Sequence, residues 1–106
     1  MNIKIESHPP FSVVFLSGDV DLHSSPQARE AILGCLKQKN SLLVELSAVS
    51  YMDSSGVATL VEGYQTARKQ SLEFGLVAVS PPAMNVLKLA RLDKVFPIHA
   101  SLGVFA

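Results

Sequence analysis

Two adjacent serines at the start of a predicted helix are the residues best suited to chemistry. They stand in Asp53-Ser54-Ser55-Gly56, directly before apolar residues at helical spacing. A helix N-terminus has unpaired amides and a partial positive charge, so it accommodates an anion such as phosphate. Gly56 lacks a side chain and would let another surface approach the backbone. Taken alone, however, the tetrapeptide favours a simpler interpretation, in which Asp53 is an N-cap and the serines are polar first-turn residues.

Nothing around Ser54 indicates that it is a catalytic nucleophile. No general base stands at recognisable spacing, and the sequence has neither a Gly-x-Ser-x-Gly elbow nor a glycine-rich Walker loop. His8, His23 and His99 are isolated from one another and from ligand-spaced acidic residues or cysteine, so no metal site and no cofactor are expected. We therefore expect a binding protein, not an enzyme, in which Ser54 is a substrate.

The elements that must position these serines alternate between strands and helices. Leu42-Leu43-Val44-Glu45-Leu46 is a short apolar run, typical of a central strand buried on both faces. Val57, Leu60, Val61 and Tyr64 mark the inner face of the helix that follows Asp53. The predicted strands lie around residues 3–5, 13–16, 42–46, 74–79 and 95–98. The first predicted helix begins at residues 24–26 and ends at 36, and the other two cover 53–69 and 81–91. In the last helix Met84, Leu87 and Ala90 are expected to face inward.

This order predicts an α/β fold. The first two strands are close enough to pair antiparallel around His8-Pro9-Pro10, and the later alternation requires parallel pairing with right-handed crossovers. We expect a mixed, mostly parallel sheet of about five strands with helices packed against it. No repeat or linker divides residues 1–106, so a single domain is expected.

Composition narrows the class of partner. Hydrophobic residues make up 48% of the 106 and charged residues 17%, and the mean hydropathy is +0.31, which favours an apolar surface and a protein partner. Nine Lys and Arg balance nine Asp and Glu, which argues against nucleic acid and anionic lipid as partners. No signal-like or membrane-spanning run is present, so no membrane insertion and a cytoplasmic location are expected. The single cysteine, Cys35, is predicted to be buried.

An ordered set of short motifs resembles the STAS domain, in particular the anti-sigma factor antagonists. The set covers roughly residues 10–100 and consists of Gly18-Asp19-Val20-Asp21, the capped first helix, the strand at 42–46, Asp53-Ser54-Ser55-Gly56, Ser80-Pro81 and Leu92-Asp93-Lys94-Val95-Phe96-Pro97-Ile98.

The resemblance implies a phosphorylation-controlled switch. Ser54 matches the serine that a partner kinase, itself the anti-sigma factor, phosphorylates and that a serine phosphatase restores. Asp53 matches the aspartate directly before that serine, and Asp21 a second aspartate nearby. The expected partner surface comprises Asp21, Asp53, Ser54, Ser55 and Gly56. The chain departs from the pattern at Val57-Ala58-Thr59, where antagonists often continue with Leu-Gly, and in its short terminal segment after the last strand.

Two other interpretations stay open at this point. STAS domains also serve as accessory subunits of lipid-transport ABC transporters, and the same helix face would then bind an ABC transporter ATPase constitutively. The stretch from Val57 to Glu62 is as compatible with that class. A stressosome-like scaffold or a nucleotide-binding sensor is a weaker third alternative, with no specific support in the sequence.

Overall fold

A five-stranded sheet with three helices makes up the chain in a computed structural model, which describes residues 1–105, with side chains to Gly103. The strand order is the order of the sequence. The elements are β1 Asn2–His8, β2 Phe11–Val20, α1 Ser25–Lys37, β3 Ser41–Met52, α2 Ser54–Lys69, β4 Phe74–Val77, α3 Pro81–Leu89, β5 Ile98–His99 and a final 3-10 turn at Leu102–Phe105.

The mixed sheet that the sequence predicts is confirmed. β1 and β2 form an antiparallel hairpin in which Ile3 lies opposite Leu16. All the later neighbours pair in parallel, which is the pattern expected when a helix connects each strand to the next. The hairpin turn falls at Pro9-Pro10, where two prolines cannot continue the ladder of hydrogen bonds.

All three helices share one sheet face, because each crossover moves to the next strand in the same direction and right-handed crossovers then fall on one side. Their inner residues and the strand residues facing them form the main core. Cys35 belongs to it at 7% exposure, as predicted, and burial raises the pKa of its thiol. None of the helices within residues 1–105 is long and apolar enough to span a bilayer.

β3 is much longer than predicted. The sequence indicated a strand at residues 42–46, whereas β3 runs to Met52 and ends directly before Asp53. Its second half pairs with β2 as far as Val20, across two register shifts. The signal was lost because Ser47, Ala48 and Ser50 are exposed, so the apolar run stops while the backbone pairing continues.

The predicted boundaries of three elements in the C-terminal part of the chain are also wrong. β4 ends at Val77 because Ala78 has a left-handed backbone (φ 52°), and α3 ends at Leu89 because Arg91 is left-handed (φ 59°). Ala90, predicted to face inward, is therefore beyond the helix and exposed. β5 covers Ile98–His99 instead of residues 95–98.

The three helices end in the same way. Each closes with a Schellman motif in which the second residue after the helix has a left-handed backbone. In α2 the motif is built by the amides of Ser71 and Leu72, which donate to the carbonyls of Arg68 (3.1 Å) and Ala67 (2.8 Å). The left-handed residues are Lys39, Ser71 and Arg91, none of them glycine, so each position carries some backbone strain.

We predict that Ser71→Gly raises the free energy of unfolding by about 0.5–1 kcal/mol, because glycine adopts φ 57° without strain. Urea denaturation measures the change. Ser7→Gly is the matched control, since Ser7 is also exposed but lies within β1, where glycine weakens the strand. A loss of stability in both variants would contradict the assignment of strain to Ser71.

Candidate functional site

The carboxylate of Asp53 organises the site at the junction of β3 and α2. Oδ1 accepts hydrogen bonds from the backbone amides of Ser55 (2.8 Å) and Gly56 (3.3 Å), which makes Asp53 the N-cap of α2, as predicted. Oδ2 accepts from the amide of Leu22 (3.2 Å), in the loop between β2 and α1. One side chain therefore fixes both the first turn of α2 and the neighbouring loop.

Asp21 organises that loop from within. Its Oδ1 accepts from the backbone amides of His23 and Ser24, each at 3.0 Å. The amide of Ser24 in particular holds the pKa of the Asp21 carboxyl below its ordinary value, so this group is ionised at neutral pH. Ser24 occupies the N-cap position of α1 without a side-chain capping bond, contrary to expectation. Its hydroxyl oxygen instead accepts from the amide of Asp21 (2.9 Å), and the hydroxyl donates to the carbonyl of Asp19 (2.8 Å).

The two serines of the site have different environments. Ser54 is the first residue of α2 and is exposed, and among the described residues its hydroxyl makes no hydrogen bond. Ser55 is half-buried, and its carbonyl accepts a hydrogen bond from the hydroxyl of the buried Thr59 (3.0 Å). Ser54 is thus more accessible to solvent than Ser55.

Gly56 serves the packing of α2 against the sheet. It is buried, and a Cβ added there would lie 2.8 Å from Cγ of Met52 and 3.0 Å from both Cγ1 and the carbonyl oxygen of Val20. The close approach anticipated at Gly56 is therefore made by the ends of β2 and β3. An external partner would meet the exposed Ser54 before Gly56.

Two exposed apolar side chains near the site were missed by the sequence analysis. Leu22, whose amide binds Asp53, is 70% exposed, and Tyr51, two residues before Asp53, is 51% exposed. The available signal was an isolated apolar residue in each otherwise polar segment, Asp21-Leu22-His23 and Ser50-Tyr51. Together with Ser54 they give this end of the molecule a mixed apolar and acidic surface, which is typical of protein recognition sites.

The site contains carboxylates without metal-binding geometry. The carboxylate oxygens of Asp21 and Asp53 accept hydrogen bonds from backbone amides. Among the described residues, no three His, Cys, Asp or Glu side chains come together in a way that could hold a metal ion. The arrangement places the exposed hydroxyl of Ser54 beside a fixed carboxylate.

Comparison with known proteins places this geometry in a family. The model of the STAS domain matches residues 2–104. The anti-sigma F factor antagonist of Paenibacillus polymyxa is 27% identical over 101 residues, which cover 93% of this chain and 86% of that protein. The crystal structure of an anti-sigma factor antagonist from Mycobacterium paratuberculosis superposes with a TM-score of 0.87 at 32% identity, covering 96% of this chain and 87% of the other.

A third comparison concerns the fold alone. The Bacillus cell fate determinant SpoIIAA in its phosphorylated form superposes with a TM-score of 0.77 at 21% identity. The match covers 98% of this chain and 96% of that one. The β-sheet and helices described above are therefore shared along almost the full length of both chains.

We predict that Gly56→Ala lowers the free energy of unfolding by about 1–3 kcal/mol, because the added methyl group meets the backbone carbonyl of Val20 as well as two side chains. Denaturant unfolding gives the value. Gly34→Ala is the matched control, since Gly34 also lies within a helix but has nothing within 4 Å of the added carbon. That variant should be more stable by roughly 0.5–1 kcal/mol. A neutral Gly56→Ala would mean that α2 is not held against the strand ends.

Proposed function

The chain belongs to the STAS domain family, and we propose that it is an anti-sigma factor antagonist whose binding to an anti-sigma factor kinase is switched off by phosphorylation of Ser54. Its relatives bear the name anti-sigma factor antagonist, which supports the first part of this proposal. The free protein binds the anti-sigma factor and so releases a sigma factor. A serine phosphatase reverses the modification.

The exposure of Ser54 at the mouth of α2 is the observation that carries this proposal. Its hydroxyl is open to solvent at a helix N-terminus, directly after the residue that caps the helix. Modification there adds charge without opening the core. The neighbouring Leu22 and Tyr51 supply exposed apolar area that a partner protein would cover.

Electrostatics explains why a phosphate would act as an off-switch. Phosphorylation adds about −1.5 to −2 charges at neutral pH. At roughly 5 Å and an effective dielectric constant near 20, each full like-charge pair costs on the order of 3 kcal/mol before screening by salt. The carboxylate of Asp53 is fixed beside Ser54 by hydrogen bonds from three backbone amides, so it cannot swing away, and a partner docked here would have to cover both negative charges at once.

The helix N-terminus offsets little of that repulsion. Favourable interaction of an anion with a helix dipole is worth about 1 kcal/mol at an exposed site. The amides of Ser55 and Gly56 already donate to Asp53, so fewer donors are left for a phosphate. A phosphate on Ser54 would therefore project to solvent, where it can repel a partner and be reached by a phosphatase.

We predict that Ser54, and not Ser55, is the phosphoacceptor. Ser54 is exposed whereas Ser55 is half-buried. Phosphopeptide mapping after treatment with the cognate kinase locates the modified residue, and Ser54→Ala should abolish the incorporation while Ser55→Ala should retain it. Modification found only at Ser55, Ser24 or Ser25 would refute the assignment.

We further predict that Ser54→Asp weakens partner binding roughly tenfold or more, which corresponds to about 1.4 kcal/mol, whereas Ser54→Ala preserves it. The aspartate brings one charge and a shorter reach than phosphoserine. The partner is first captured on the immobilised wild-type chain and identified, and each variant is then titrated against it at two salt concentrations. The deficit should shrink as salt rises.

The control for added charge is Ser71→Asp, because Ser71 is exposed just beyond the C-terminal end of α2, far from Ser54 along the helix. It should bind like the wild type. Ser54→Ala should change the free energy of unfolding by less than about 1 kcal/mol, since Ser54 makes no hydrogen bond through its hydroxyl within the described chain. Equal affinity of Ser54→Asp and Ser54→Ala would reject the switch and favour a constitutive binding role, such as that of a transporter subunit.

A further inference from the structure

The charges of this neutral chain are separated along the axis of the sheet. Each helix runs antiparallel to the strands that it connects. The C-terminal ends of α1, α2 and α3 therefore all lie at the end of the sheet where β3, β4 and β5 begin. Seven of the nine Lys and Arg residues fall in the final turns of these helices or in the segments that follow them, and all seven are exposed: Lys37, Lys39, Arg68, Lys69, Lys88, Arg91 and Lys94. We call this surface the basic end.

The cations of the basic end have no ionic partner among the side chains that the structure describes. The other two cations of the chain are both paired, Lys4 with Glu6 (2.6 Å) and Arg29 with Glu62 (2.7 Å). None of the seven forms an ion pair with a side chain of residues 1–103. Among the described residues, two side-chain carboxylates, those of Glu73 and Asp93, belong to the segments that follow the helices at this end. The fold thus leaves a strong positive potential unneutralised there.

Large apolar side chains are exposed among these cations. Leu89, between Lys88 and Arg91, is 86% exposed, the highest value among the exposed large apolar residues described. Val95, next to Lys94, is 44% exposed. An apolar side chain that projects from a cluster of cations is typical of proteins that lie on anionic membranes, where the side chain enters the headgroup region and the cations meet the lipid charges.

We propose that the basic end docks peripherally on an anionic phospholipid bilayer, with Leu89 and Val95 entering the headgroup region. Each cation near such a surface strengthens binding about fivefold, so several together give a usable affinity. A neutral composition opposes this partner only where the charges are evenly spread. In this chain they are separated, so the expectation drawn from composition does not apply to this surface.

The distribution of the cations favours a plane over a single acidic peptide. A groove of about 550 Å³ between α2 and the segment after α3 is lined by Tyr64, Arg68, Lys69, Leu92 and Val95, among others. Of the seven cations only Arg68 and Lys69 line it, and Leu89 does not. A peptide in the groove would therefore leave most of the charge and the most exposed leucine unused, whereas an extended anionic surface meets the ends of all three helices.

The opposite end of the molecule defines the orientation of docking. Asp19, Asp21 and Asp53 lie where β2 and β3 end, around Ser54. Anionic lipid repels these carboxylates and attracts the basic end. The bound chain therefore holds Ser54 away from the membrane, accessible to a protein partner.

Co-sedimentation of the full chain with vesicles tests the proposal. Vesicles of phosphatidylglycerol mixed with phosphatidylcholine should bind the protein at about 0.1 M salt and release it at about 1 M salt, where the Debye length falls to roughly 3 Å. Vesicles of phosphatidylcholine alone should bind little. No binding to the phosphatidylglycerol vesicles at the lower salt concentration would overturn the proposal.

Two doubly substituted variants distinguish the effect of where the cations lie from the effect of the net charge on vesicle binding. Lys88→Gln with Lys94→Gln should weaken vesicle binding roughly 30-fold, since two cations leave the basic end. Lys4→Gln with Arg29→Gln changes the net charge equally but away from that end, and should weaken binding less than about threefold. An equal loss in both variants would show a general charge effect and refute a defined docking surface. Circular dichroism verifies that each variant is folded.

A second matched pair of variants tests the contribution of apolar side chains to vesicle binding. Leu89→Ser should weaken binding roughly tenfold, because insertion of a leucine side chain into an apolar phase is worth at least that factor. Leu22→Ser, at the acidic end and 70% exposed, should bind vesicles like the wild type. Competition with soluble polyglutamate tests the alternative that the basic end binds an acidic protein. Binding of polyglutamate without binding of vesicles would support that alternative and refute the proposal. Ser54→Ala should bind vesicles normally, so this test is independent of the phosphorylation switch.

Discussion

The carboxylate of Asp53 is the interaction on which the site depends. It holds three backbone amides, those of Leu22, Ser55 and Gly56, and so joins the loop after β2 to the first turn of α2. An N-cap alone is worth about 1 kcal/mol. Here the same group also fixes a negative charge next to an exposed hydroxyl, so the residue that starts the helix also sets the electrostatic environment of Ser54.

This arrangement requires close contact between α2 and the sheet. Gly56 allows the first turn to lie on Val20 and Met52, the last residues of β2 and β3, and these two residues are partners in the parallel ladder. The register of this ladder shifts between Phe15 and Ser17 and again between Gly18 and Asp19, shortly before the two strands end. Bulges of this kind are common beside functional sites because they redirect a strand without ending its pairing.

Sequence reasoning succeeded where burial creates a pattern. The order of strands and helices along the chain and the cap at Asp53 followed from apolar spacing and capping chemistry. It failed where backbone pairing or backbone conformation leaves no pattern of apolar residues in the sequence. In the mostly exposed segment 47–51 of β3, Ala48, Val49 and Tyr51 still pair with β2. Ala78 and Arg91 adopt left-handed conformations that their residue types do not predict. The exposure of Leu22 and Tyr51 depends on which loops meet at the strand ends, which is a tertiary property.

The separation of charge follows from topology in the same way. Cations suit helix C-termini because of the helix dipole, and here each of the three helices carries them in its last turn. In a fold whose parallel crossovers all run in one direction, those three ends are collected at one edge, so a preference local to each helix becomes a property of one whole surface. The carboxylates that follow β2 and β3 are collected at the other edge by the same geometry. α2 spans the distance between the two surfaces, with Ser54 at its acidic start and Arg68 and Lys69 at its basic end, so its two termini lie on surfaces of opposite charge.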